Sequence, residues 1–275
     1  MIKAPFAGVV MLALCSAAAA NAAEVHAQQP GAPREARQQI VSPAPFEDGP
    51  RLAAAAQKAA QALSGYLDAV VKAGGRPDYA KPPAARHLAD IFATEGLARL
   101  PPPGSADVPW LLEWIDAARP AFRGVLFFGA TSAADAHAAA QRNTSDFENE
   151  IMSAQAFQLR LIGRAMPALE ELMHALPAAE RNSPVRQAGL APAREGVLDA
   201  VRGAIVSVAQ GARPANARIV ASALNDTVQQ WAGYAERDKR TELLRLLDFA
   251  RSRTSDADAA DKLLAVAAAI TKHRA

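Results

Sequence analysis

Residues 214–234, PANARIVASALNDTVQQWAGY, decide how the rest of the chain is read. Ile219, Val220, Ala223, Leu224, Thr227, Val228 and Trp231 recur three and four residues apart, which lays them along one face of an α-helix. The same period appears on both sides of this run. Downstream, it predicts helices over 238–253 and 256–273. Upstream, Ser183-Pro184 has the form of an N-cap followed by a first-turn proline. The helix it opens carries Val197, Leu198, Val201, Ile205 and Val208 on one side, is interrupted near Pro192 and ends at Gly211.

Ser145-x-x-Glu148 is a capping box that opens the longest predicted helix, 146–176. Phe147, Ile151, Ala154, Leu161, Ile162, Leu169, Leu172, Met173 and Leu176 are read as one apolar stripe on it, with a kink at Pro167. Nearer the N-terminus, an Ala-rich helix over 51–73 stops at Gly74-Gly75. Another over 83–100 has Leu88, Ile91 and Phe92 on one face and ends at Pro101-Pro102-Pro103. Asp107 is positioned to cap a helix reaching Arg119, and Pro120 begins a second short apolar segment to Gly129. Residues 131–142 form a further helical Ala stretch.

Composition agrees with helices throughout. Of 275 residues 68 are Ala, whereas Val, Ile and Thr together number 32, poor material for a large sheet. The one strand candidate, 124–128, is five residues without a partner. The expected fold is therefore an all-α bundle of roughly seven to nine helices over 51–275, with a possible subdivision near 143. Alanine on facing helices should let their backbones approach closely.

The N-terminus reads as an export signal. A short basic start, Met1-Ile2-Lys3, precedes an uncharged run to Ala20, and Ala20-Asn21-Ala22 places small residues where a signal peptidase reads them. Cleavage is expected after Ala22. Lipidation at Cys15 is disfavoured because Leu14 is too large for the position before a modified cysteine. Residues 23–50 hold five prolines and four glutamines and few large apolar groups, so they read as a disordered leader. An excess of Arg over Lys, 23 to 7, together with the alanine, resembles a GC-rich bacterial coding bias and points to the periplasm.

Charge and cysteine content exclude several classes. Thirty basic against 28 acidic residues give +2, too balanced for a nucleic-acid protein. A single cysteine rules out a disulfide framework and any Cys-rich metal site. Glu171-Leu-Met-His174 has the Glu-x-x-His form of di-iron bundles, but no second copy exists, and both side chains fall roughly 140° from the apolar stripe. Asp146, Glu148 and Glu150, like Asp256, Asp258 and Asp261, sit in first turns where helix N–H groups stabilise carboxylates without a cation. His87 with Asp90 and His137 with Asp135 read as surface pairs, His26 falls in the leader and His273 at a frayed terminus. No nucleophile elbow, phosphate loop, dinucleotide motif or zinc motif accompanies them. No cofactor is expected.

The aromatic residues are unevenly distributed. Five of fifteen fall within 110–128: Trp110, Trp114, Phe122, Phe127 and Phe128. One reading is a buried helical hairpin supplying large side chains to an Ala-rich core. The other is a docking surface for an envelope protein or a membrane, formed by these five with Leu112. Two functional classes follow. The leading expectation is a non-enzymatic interaction or scaffold protein of the periplasm. The alternative is a cofactor-free hydrolase or ligand-binding protein whose site is assembled from scattered His, Asp and Arg residues.

Overall fold

Every regular element among the described residues, which are 48–134, 148–181 and 184–273 of a computed structural model, is helical. In chain order they are α1 (Asp48–Lys72), α2 (Ala84–Ile91), α3 (Thr94–Arg99), a 3-10 turn (Ser105–Asp107), α4 (Val108–Ala134) and α5 (Glu148–Ala175). Then follow α6 (Ala178–Arg181), α7 (Pro184–Ala209), α8 (Pro214–Trp231), a second 3-10 turn (Ala232–Tyr234), α9 (Arg237–Arg253) and α10 (Ala257–Lys272). The all-α expectation holds. The expected signal and most of the leader lie outside the described residues, and α1 opens at Asp48, inside the predicted leader boundary. Among the described residues no helix is long and apolar enough to cross a membrane.

Several boundaries differ from the sequence reading. Pro120 does not divide a hairpin: α4 runs continuously through it, and 124–128 is helix. Leu111, Trp114, Ile115, Ala118, Ala121, Phe122 and Val125 are all buried and keep one helical period across the proline. Their burial offsets the missing hydrogen bond. Pro192 likewise sits inside α7. Conversely, 83–100 is two helices, broken at Phe92 and Ala93. The Trp114 indole donates to the Ile91 carbonyl at 2.9 Å, and the Phe92 ring lies 5.3 Å from that of Phe157, so α2 stops where its end is held from the side. Of 131–142, the first four residues belong to α4 and the others lie outside the described residues.

Two apolar cores lie on either side of α5. The N-terminal core joins α1 to α4 with Ala154, Phe157, Leu161 and Ala168 of α5. The C-terminal core joins α7, α8, α9 and α10 with Met152, Ala156, Leu159, Ile162 and Met166 of α5. These two sets are offset by two residues, about 200° on a helix, so they face opposite ways. The single stripe expected for this helix is thus two stripes: Ala154 and Leu161 face one core, Ile162 the other, and Leu169, Met173 and Leu176 form a small separate cluster.

Close approach fixes α5 against α8. A Cβ on Gly163 would stand 2.7 Å from Cγ2 of Thr227, so only glycine fits the crossing. Thr227 donates to the Ala223 carbonyl at 2.7 Å and accepts from the Trp231 indole at 3.2 Å, which satisfies both groups within the apolar layer. At the start of α5 the buried Glu148 accepts from the Arg213 amide at 2.6 Å and from Asn216 Nδ2 at 2.9 Å. Its carboxylate is committed to the beginning of α8; the Ser145 half of the expected capping box lies outside the described residues.

Candidate functional site

Three of the expected docking residues belong to the core. Trp110, Trp114 and Phe122 are buried, with the Trp110 indole donating to Asp107 Oδ1 at 2.8 Å. Asp107 Oδ2 accepts from the Gly104 amide at 2.8 Å, which fastens the entry of α4 to its first buried ring. Leu112 is half-buried against the N-terminal core. Phe127 and Phe128 lie in α4, but their side chains fall outside the described ones. As a docking surface, 110–128 therefore loses Trp110, Trp114 and Phe122: their rings fill space between helices.

The other sequence candidates scatter. Glu171 and His174 are exposed, and no group of three metal-ligating side chains occurs among the described residues. Glu171 is nonetheless engaged, accepting from the Ser105 amide at 3.1 Å. His87 is half-buried in α2; His26, His137 and Asp135 lie outside the described residues. Asp256 caps α10 by accepting from the Ala259 amide at 2.9 Å, and Arg218 pairs with it from α8.

The richest concentration of chemistry lies elsewhere, at the end of the C-terminal bundle where α8 stops, α9 begins and α10 finishes. A crevice of about 680 Å³ is lined by Glu170 of α5, Arg194 and Glu195 of α7, Gln229 and Gln230 of α8, and Tyr234, Glu236, Lys239 and His273. Arg194 donates to Glu170 Oε1 at 3.0 Å, and its guanidinium carbon lies 5.3 Å from the centre of the Tyr234 ring. Lys239 donates to Glu195 Oε1 at 2.6 Å. The His273 ring meets Gln229 Oε1 at 3.2 Å. Two ion pairs, a stacked guanidinium and an imidazole–amide contact thus converge from four helices, one turn and the C-cap of α10.

Their protonation follows from these contacts. The hydrogen bond from Lys239 holds the Glu195 carboxyl below its ordinary value, and the same bond raises the Lys239 ammonium, aided by the charges of Asp199 and Glu236. Burial, reinforced by the negative charge of Glu170, pushes the Tyr234 phenol up. At neutral pH the wall therefore presents a carboxylate, an ammonium and an intact phenol.

A second groove, of about 520 Å³, runs along the seam between the cores, lined by Leu97, Leu100, Pro102, Pro103, Arg164 and Thr227 among others. Its cations are consumed in holding the seam. Arg164 donates to the Pro101 carbonyl at 2.7 Å and to that of Leu100, and Arg160 to Asp226 at 3.1 Å. The crevice beside Tyr234 is the better candidate site.

Nothing in the sequence announces that crevice. Glu170, Arg194, Tyr234, Lys239 and His273 belong to separate elements and share no motif, and His273 reads as a terminal residue. Comparison with protein-family models, with curated proteins and with solved structures finds no match, so the site is interpreted from its own geometry.

Proposed function

We propose that the chain is an exported helical protein that acts by binding, and that the crevice beside Tyr234 takes a small polar ligand. The observation carrying this reading is the convergence of Glu170, Arg194, Gln229, Tyr234, Glu236, Lys239 and His273 on one concave space. It favours the ligand-binding alternative over a scaffold with no pocket of its own. Catalysis is less well supported. Among the described residues, no serine, threonine or cysteine lines the crevice to serve as nucleophile. Lys239 and Tyr234 are shifted so that both keep their protons, the opposite of what a base or an attacking amine requires. With 1–22 read as an export signal, the periplasm is the chain's proposed location.

The test is a thermal-shift screen of the chain after removal of 1–22, using four solute classes: amines, amino acids, dicarboxylates and sugars. A steric block, Ala191→Trp, accompanies it, since Ala191 is exposed and lines the crevice without holding any ion pair. One class should raise the melting temperature of the parent chain and leave the blocked variant unmoved. A screen with no shift, or a shift that survives the block, overturns the binding reading.

A further inference from the structure

We infer that the ligand of this crevice is a small primary amine, bound as its ammonium. The inference rests on the binding reading above and names the ligand's chemistry. Among the described residues three carboxylates line the space, those of Glu170, Glu195 and Glu236, against two fixed cations, Arg194 and Lys239. Both cations are engaged, and Arg194 Nε, which has no hydrogen-bond partner among the described residues, is buried away from the crevice's open space. Arg194 bonds Glu170 and lies over the Tyr234 ring, so swinging it toward an anion would forfeit two contacts at once. Lys239 is held at 2.6 Å by Glu195. A ligand carboxylate or phosphate would have to displace a protein carboxylate from its partner.

An ammonium faces no such competition. Glu236 stands at the N-cap of α9 without bonding that helix through its side chain, and it makes no ion pair among the described residues. Glu195 offers a second oxygen beyond the one Lys239 engages. Gln229 Oε1 already meets the His273 ring and Gln230 Oε1 is buried, which leaves the carboxylates as the acceptors. A primary ammonium can donate to Glu236 without breaking an existing ion pair.

Two other kinds of cation fit less well. A metal ion needs several ligands converging at short range, and no group of three such side chains occurs among the described residues. A quaternary ammonium is recognised by aromatic faces. Among the described residues Tyr234 is the one phenol or indole face lining the crevice, and Arg194 lies over it.

The experiment is a calorimetric titration of the chain lacking 1–22, at low salt, with putrescine, choline, succinate and glycerol as separate probes. Putrescine should bind to the parent chain and not to Ala191→Trp. Its affinity should fall about tenfold in Glu236→Gln, the loss of one charge-assisted hydrogen bond. Glu236 is exposed, and circular dichroism of that variant should match the parent. If choline binds as well as putrescine, or Glu236→Gln changes nothing, the amine assignment fails. If succinate or glycerol binds in its place and the Ala191→Trp block removes that binding, the crevice is a site for another class. If none of the four binds, the amine assignment and the binding reading fall together.

Discussion

The two cores solve the same packing problem with different side chains. Around α1 to α4, the interior is filled by Tyr79, Phe92, Trp110, Trp114, Phe122 and Phe157, whereas in the C-terminal core Trp231 is the one fully buried ring among the described residues. Helix length explains the contrast. α2 and α3 have 8 and 6 residues and are joined by irregular chain, so they cannot align long stripes of small side chains, and large rings fill the uneven space. α7 to α10 run for 16 to 26 residues, and alanine and valine suffice where backbones lie alongside one another. α5 serves both, showing Phe157 to one side and Met152, Leu159 and Ile162 to the other.

The largest expected effect tests the aromatic side. Trp114 is fully buried, lies 5.6 Å from the Phe157 ring and ends α2 through its indole N–H. Trp114→Ala should cost about 3–5 kcal/mol in a denaturant melt. Leu224→Ala, in the aliphatic core, should cost about 2–5 kcal/mol. Because α5 belongs to both cores, each variant should still unfold in one transition by far-ultraviolet dichroism and tryptophan emission together. A separate early melt of the aromatic half would break the claim that α5 couples them.

The junction itself gives the next effect. Gly163→Ala would place a methyl 2.7 Å from Thr227, and overpacking of this kind costs about 1–3 kcal/mol. Gly65 in α1 meets nothing within 4 Å, so Gly65→Ala should instead stabilise by about 0.5–1 kcal/mol through helix propensity. Opposite signs from two glycine-to-alanine changes in helices would locate the tight contact at the junction. Equal effects would deny it.

The periodicity of 214–234 was legible because one face of that helix is buried and the other is wet, although Ile219, read as part of the buried face, is exposed. α5 was misread for the opposite reason: buried on two sides, it offers two overlapping periods that merge into one loose stripe. Pro120 misled because local geometry argues for a break, while the decisive term, burial of Ala121, Phe122 and Val125, comes from other parts of the chain. The crowding of aromatics in 110–128 was visible, but whether Trp110 faces solvent or Gly49 of α1 depends on a contact across more than fifty residues. The crevice was invisible for a related reason. Glu170, Arg194, Tyr234 and His273 meet only once helix ends are brought together, and no spacing encodes that.

A smaller effect separates charge from capping within the aliphatic half. Asp256 caps α10 and pairs with Arg218, and these contacts hold its carboxyl below the ordinary value of 3.8, the Arg218 hydrogen bond foremost. A depressed carboxyl contributes stability that is present above its unfolded pKa and lost as pH falls through the folded one. Asp256→Asn keeps a competent cap and removes only the charge. The variant should melt earlier than the parent at neutral pH, and the gap should close as pH falls below the ordinary carboxylate range. A gap that persists in acid would mean that the cap, and not the pair with Arg218, is what the substitution disturbs.

The smallest effect concerns the one contact that contradicts a helical wheel. Glu171 lies on the exposed side of α5, where truncation usually costs no more than about 0.5 kcal/mol. Yet its Oε2 accepts from the amide of buried Ser105, joining the C-terminal half of α5 to the turn that starts α4. One such bond at a partly solvated site contributes about 0.5–1.5 kcal/mol, so Glu171→Ala should exceed the usual surface cost without approaching a core loss. Glu171→Gln retains an acceptor oxygen and should recover most of the difference. Hydrogen exchange at the Ser105 amide reports the bond directly: it should quicken in the alanine variant and stay slow in the glutamine one. If exchange is the same in both and neither variant melts earlier, the wheel was the better guide, and the Glu171–Ser105 bond adds nothing to the junction.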